Sequence, residues 1–362
     1  VSVDLTLIVA GDPGQLTGGY VYDARIVEAL RADGWQIEVI GLEGRFPAVD
    51  ARARDAMTAA LAAIPDGARV VIDGLAMGGL PELVAIASQR LDVSALVHHP
   101  LADETGLDES SRMALLASEM RALASVHRVI VTSDFTAQRL AEFHVPAERI
   151  AVVEPGVTPS PLATSVVGKE DTKRPQRLLS VATVTPRKGH DVLVDALSGL
   201  VDRQWHCDCI GGRDRDPVHD RRVSDLIRHH GLEQRVLLLG ERSPDDLAAH
   251  YAAADLFILP SYYEGYGMVV TEALARGLPV LTTTGGALAH TLPTEAGLAV
   301  PPGNIEALET ALQRWLDEPD LRRRLRHGAS KARDALPSWE QAARAFAAAV
   351  TRPASGPSGG SS

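Results

Sequence analysis

The chain has 362 residues, enough for two ordinary domains, because single cores tend to divide beyond about 250–300 residues. Hydrophobic residues make up 45% of it and aromatics only 4%, an aliphatic balance that suits α/β layers and excludes an aromatic-rich sandwich. Lys and Arg number 36 against 47 Asp and Glu, interspersed and netting −11, which excludes a nucleic-acid footprint and a polybasic membrane-docking surface and leaves a small-molecule enzyme.

Residues 1–9 carry no basic leader and are too short for an export signal or a membrane span. They read as a first strand, and the chain as cytoplasmic with no integral membrane segment. Strands are expected at 5–10, 37–41, 70–73, 95–98, 128–132 and 150–153, with amphipathic helices between them, the pattern of right-handed βαβ units on a parallel sheet. The run Gly11-Asp12-Pro13-Gly14-Gln15-Leu16-Thr17-Gly18-Gly19-Tyr20 leads from the first strand to a helix expected at 21–33, and the backbone can approach a ligand closely at Gly18 and Gly19. Its spacing is not Gly-x-Gly-x-x-Gly, and no well-placed ribose-binding acid follows apart from Glu38 or Glu43, so a nicotinamide dinucleotide fits poorly. The fourth strand runs into His98-His99-Pro100-Leu101, which puts an imidazole at its carboxyl end; His98 is the first candidate, a histidine that merely finishes a strand the alternative. Glu104 and Glu119 follow as candidate acceptor contacts, or as surface acids.

Glu154-Pro155-Gly156-Val157-Thr158-Pro159 and the polar stretch to Pro175 read as a linker, so the first domain takes residues 1–165 and the second 166–336. In the second, strands are expected at 177–181, 206–210, 236–239, 256–260 and 279–283, with helices such as 190–200 and 244–253. Cys207 and Cys209 alternate onto one strand face as buried reduced thiols rather than a metal or disulfide pair. Asp214-Arg215-Asp216 imitates a metal-binding Asp-x-Asp, but sits in a charged stretch, and no metal site is assigned to it. After Gly303 the pattern is helical: 305–318, 321–336, and a last helix within 337–351, capped by Ser338 and able to return to the first domain. The tail, 352–362, has nothing to bury and reads as disordered. Two such sheets imply an interdomain cleft, because ligands of open α/β sheets bind beyond the carboxyl ends of strands.

The strongest chemical signal follows the strand at 256–260: Glu264-Gly265-Tyr266-Gly267, four residues, Glu272-Ala273, one residue, Ala275, one residue, Gly277. A helix starting near Met268 places the glycines at its N-terminus, where unmasked N–H groups and the helix dipole attract a diphosphate. Glu264, projecting from the loop, and Glu272, on the second turn, can accept hydrogen bonds from sugar hydroxyls, so the combination suits a nucleotide sugar. A second motif, Thr183-Val184-Thr185-Pro186-Arg187-Lys188-Gly189-His190-Asp191, lies between the second domain's first strand and first helix and offers two cations.

Over nearly its whole length the chain resembles the family 4 (group 1) glycosyltransferases, retaining enzymes of the GT-B fold: two Rossmann-like, doubly wound parallel-sheet domains with a cleft between them. The resemblance implies an N-terminal acceptor domain and a C-terminal donor domain. It further implies that Glu264 contacts the donor sugar, Glu272 the ribose, and the backbone of Gly265, Tyr266 and Gly267 the phosphates. Lys188, assisted by Arg187, neutralises the departing diphosphate; Gly18 and Gly19 approach the donor phosphates; His98 touches the transferred sugar, with His99 and Glu104 as candidate contacts to sugar or acceptor. Lys188, Glu264 and His98 are thus the catalytic candidates. The implied reaction is metal-independent transfer from a nucleoside diphosphate sugar to the hydroxyl of a small-molecule or glycan acceptor, with no cofactor and no nucleic-acid partner. One departure stands out: where the family pattern has an arginine five residues before the lysine, this chain has Thr183. A catalytically silent nucleotide-sugar-binding or partner subunit, or another GT-B enzyme such as an epimerase, are therefore the alternatives.

Overall fold

The computed structural model describes residues 3–164 and 174–352; apart from Arg352, the tail expected to be disordered lies outside the described residues. The chain divides into two compact units, one formed by the residues up to Gly156 together with those from Pro337 on, the other by Val157–Leu336.

The first unit is built on β1 (Leu5–Ala10), β2 (Ile37–Leu42), β3 (Arg69–Asp73), β4 (Asp92–Val97), β5 (Arg128–Val131) and β6 (Ile150–Val152). They pair in the order β2-β1-β3-β4-β5-β6, all parallel. The second unit holds β7 (Gln176–Val181), β8 (Trp205–Ile210), β9 (Val236–Gly240), β10 (Leu256–Leu259), β11 (Val280–Thr283) and β12 (Gly297–Val300). Their order is β12-β11-β10-β7-β8-β9, again parallel throughout. Strands such as β1, β10 and β11 are buried along their whole length, as helices on both sheet faces require, which is why they read as unbroken apolar runs. Cys207 and Cys209 are buried free thiols within β8.

Several boundaries differ from expectation. The first helix is Gly18–Ala32, not 21–33, so the two glycines belong to its first turn. β12 was not anticipated: Gly297-Leu298-Ala299-Val300 is short and stands between polar residues and prolines, and only pairing with β11 makes it a strand. The division between units falls at Gly156 rather than at 165, because the next segment packs on the second unit. There Ala163 is fully buried and its N–H donates to Arg276 O at 2.9 Å, while Arg333 Nη2 donates to Ser160 O at 2.7 Å.

The last helix, Trp339–Thr351, packs on Gly18–Ala32 in the first unit. Ser338 and Gln341 cap it reciprocally, and its apolar stripe buries Ala342, Ala343, Phe346 and Val350. Among the described residues no helix is long and apolar enough to cross a membrane.

Candidate functional site

In the second unit, β7 and β10 are neighbours at the point where the strand order reverses, the place where an open parallel sheet leaves room for a ligand at its carboxyl edge. The loops that leave those two strands are tied together: Tyr262 N donates to Arg187 O at 2.7 Å. Gly189 makes that approach feasible. It sits at φ +68°, and a Cβ there would overlap the carbonyl oxygen of Pro260.

At this junction the two motifs meet on one carboxylate. Lys188 Nζ donates to Glu264 Oε1 at 2.5 Å, and Ser261 Oγ donates to the same oxygen at 2.6 Å. Arg187 Nη1 reaches the other oxygen, Oε2, at 3.1 Å and also donates to Tyr263 O at 2.8 Å. Glu264 is only 7% exposed. Burial alone would push its carboxyl up; the charges of Lys188 and Arg187, with the hydrogen bonds from Lys188 and Ser261, outweigh burial and bring it down to about 2. Glu264 therefore does not project from the loop, as its position after the strand suggested, but is folded back onto the cations, since an unpaired buried charge is far costlier than a paired one. Two cations thus share one carboxylate.

Around this cluster the backbone is held from the far side. Gly285 and Gly286 lie against the main chain of Tyr262 and Glu264, Ala287 N donates to Glu264 O at 2.8 Å, and Thr291 Oγ1 donates to Tyr266 O at 2.6 Å. Gly265, Tyr266 and Gly267 thus run under support into the short helix Met268–Leu274, with Gly267 as its cap residue. Glu272, half-buried on that helix, accepts from Tyr251 Oη at 3.1 Å. Sequence reasoning missed Ser261, Gly285 and Gly286; the available signal was a serine two residues past β10 and a double glycine just past β11, both at carboxyl ends. Thr183 is half-buried in the stretch where the β7 backbone still pairs with that beyond β8, through Val184 N to Gly212 O at 2.8 Å. Asp216 is a helix cap, its side chain accepting from Val218 N and His219 N.

In the first unit, His98 is the first residue beyond β4, and its Nε2 stands 3.1 Å from Asp23 Oδ1 and 3.7 Å from Asp73 Oδ2. Asp23 comes from the first helix and Asp73 ends β3. Neither was singled out from sequence, although an acid closing the apolar run Val70-Val71-Ile72 was a usable sign. His99 Nε2 lies 3.4 Å from Glu104 Oε2, so these two are paired with each other at the loop surface. Glu119 is not an exposed acceptor contact. It is 1% exposed, and both its carboxylate oxygens accept from Leu101 N, at 3.0 and 3.2 Å, so it anchors the loop that follows His98-His99.

Burial pushes the Glu119 carboxyl up to about 8, against the pull of the Leu101 hydrogen bond. An acid whose folded pKa is raised penalises the fold increasingly as pH climbs from the ordinary carboxylate value to the folded one. Glu119→Gln, which keeps an acceptor for Leu101 N, is therefore expected to raise Tm by a few degrees near pH 9 and to change it little near pH 4. An equal shift at both pH values would contradict a buried, neutralised carboxyl.

Comparison with known proteins follows the same division. Residues 167–332 match the family of glycosyl transferases group 1, and residues 80–160 match glycosyltransferase family 4. The chain belongs to the group 1 glycosyltransferases. This glycosyltransferase-family chain is 24% identical to the MMP alpha-(1->4)-mannosyltransferase of Mycolicibacterium hassiacum, over 72% of its own length and 65% of that protein. It is 30% identical to the D-inositol 3-phosphate glycosyltransferase of Corynebacterium kroppenstedtii, over 62% of its length and 53% of that protein. The chain thus spans between half and two thirds of these relatives. Sucrose-phosphate synthase from Thermosynechococcus elongatus shares the fold, with a TM-score of 0.78 at 24% identity, over 95% of this chain and 97% of that one. The fold is GT-B, each unit carrying one doubly wound parallel sheet.

Proposed function

We propose that the chain is a retaining, hexosyl-type glycosyltransferase that moves a sugar from a nucleoside diphosphate sugar to the hydroxyl of a soluble small-molecule or glycan acceptor, without metal or cofactor. The observation that carries this reading is the meeting of half-buried Lys188 and Arg187 on the buried carboxylate of Glu264 at the switch point of the second sheet. A diphosphate arriving there competes with Glu264 for both cations, and the charge that grows on the leaving phosphate is met by groups already in place. Glu264, ionised beforehand, can then accept from sugar hydroxyls. With no residue standing out as a nucleophile for double displacement, the leaving phosphate oxygen itself takes the acceptor proton in a front-face attack, and positioning supplies most of the remaining rate.

Incubating the protein with UDP-, GDP- and ADP-sugars in the presence of EDTA tests this. The expected result is release of nucleoside diphosphate, slow without acceptor, and an anomeric configuration in the product that matches the donor. Inversion in the product, or release only when a divalent ion is added, would remove the corresponding part of the proposal. Thr183, standing where a third cation is the family pattern, favours a second reading: a silent subunit that binds nucleotide sugar. That reading expects a thermal shift with nucleoside diphosphate sugars and no turnover with any acceptor.

A further inference from the structure

In the first unit one imidazole nitrogen faces two carboxylates. His98 is brought there by three independent features. It follows β4 directly, so the sheet fixes its backbone. Thr132 Oγ1, from beyond β5, bonds its carbonyl oxygen at 3.4 Å. Gly19 lies under the ring: a Cβ at that position would come within 3.0 Å of His98 Cδ2, so a glycine in the first helical turn is what lets the ring settle against the helix. Tyr22 closes one side edge-on, with ring centroids 5.3 Å apart at 79°, and is itself held by its hydroxyl, which donates to Val153 O at 3.0 Å, and by an edge contact with Trp339.

We propose that Asp23 and Asp73 are positioning residues for His98, Asp23 accepting the hydrogen bond from Nε2 and Asp73 adding a second charge 3.7 Å away, so that the ring acts as a fixed cationic hydrogen-bond donor and not as a base. The proposal rests on the transferase reading only for what His98 then does to a substrate. The carboxylate of Asp23, the hydrogen-bond partner, accepts and cannot donate, so Nε2 keeps its proton in both charge states of the ring, and the proton that is gained or lost is the one on Nδ1. The charged and titratable groups facing the ring are Asp23 from the first helix and Asp73 from the end of β3; Tyr22 faces it as a neutral phenol, its ionisation opposed by burial and by the charge of Asp23. Burial works against the imidazolium, but the charge and hydrogen bond of Asp23 and the charge of Asp73 outweigh it, so His98 holds its second proton above the ordinary imidazole range. Burial raises Asp73 to about 6, with the charge of His98 opposing it and that of Asp23 adding to it. The cluster carries no excess positive charge, which suits a neutral hydroxyl-bearing group as its neighbour better than a phosphate.

The test is an NMR titration of the full-length chain labelled at its 12 histidines, with the His98 signal identified by its loss in His98→Gln. In the wild type the His98 midpoint is expected above about 6.5, and to fall by about one unit or more in Asp23→Asn, with a smaller fall in Asp73→Asn. Asp23→Glu is expected to restore part of the shift. Identical midpoints in the wild type and both asparagine variants would overturn the proposal. So would a His98 signal that moves on addition of zinc or magnesium in the wild type but not in Asp23→Asn, since the same three ligand atoms lie within 4.8 Å of one another and a cation would then be their occupant. With a donor that turns over, Asp23→Asn is expected to lower kcat about 10- to 100-fold at pH 8 with little change in donor KM, and to move the alkaline limb of the profile down by the NMR shift. An unmoved limb, or loss confined to KM, counts against positioning. A wild type that turns over no donor sinks the transferase reading and leaves the titration to decide this one.

Discussion

Lys188→Met is expected to lower donor turnover by about 10²–10³-fold, the size of effect seen when one preorganised partner of a developing oxyanion is removed. Its stability consequence follows from the same geometry. In the wild type Glu264 titrates at about 2, well below an ordinary carboxyl of 4.5, so its pairing stabilises the fold fully above about 4.5 and is lost as pH falls towards 2. Removing Lys188 leaves a 7%-exposed carboxylate with Arg187 and Ser261 alone, and breaking one partner from such a buried pair costs about 3–5 kcal/mol. The difference in Tm between wild type and Lys188→Met should therefore be large at pH 7 and shrink towards pH 3. Turnover at the wild-type rate would show that this cluster is not the donor site. A Tm difference independent of pH would show that Glu264 is not the group Lys188 stabilises. Glu264→Ala is a poorer experiment, because it removes the carboxylate that both cations bond and confounds folding with chemistry.

The second large effect is expected at Gly189. Alanine there must adopt φ near +68° and place its Cβ on the carbonyl of Pro260. Left-handed strain of about 1–2 kcal/mol adds to an overpacking penalty of about 1–3 kcal/mol, so Gly189→Ala should lower Tm by about 5–15 °C. Gly231 is the internal control. It has φ +65° with nothing within 4 Å of an added Cβ, so Gly231→Ala should show the strain alone. Equal losses in the two variants would mean that the contact between the loops beyond β7 and β10 contributes nothing. Because Tyr262 N bonds Arg187 O across that contact, relaxing it also moves Lys188 away from Glu264, and donor turnover is expected to fall with stability.

The alternation of apolar runs with amphipathic stretches was sufficient to read two doubly wound sheets, because a strand covered on both faces has no polar side to disguise it. Short or shared elements were not legible: β12 exists through its pairing with β11, and the stretch from 157 to 164 looks like linker until Ala163 is seen buried against the second unit. The site divides in the same way. Glu264, Gly265, Gly267 and Glu272 stand in one local run and could be read together, as could Arg187 and Lys188 in another. That the two runs share one carboxylate was not in either.

What the sequence determined by itself is the set of elements and the residues with unusual chemistry at their carboxyl ends, since periodicity, glycine and proline placement and an acid or cation after an apolar strand are all local properties. What only the tertiary structure decided is which of those residues touch. Glu264 is drawn inward by Lys188 and Arg187, Glu119 turns from a surface acid into a buried anchor for Leu101, and His98 acquires Asp23 and Asp73 as neighbours. Each of these pairs is set by strand order and loop packing across long stretches of chain, and the charge state of a buried group follows from its neighbours rather than from its own position in the sequence.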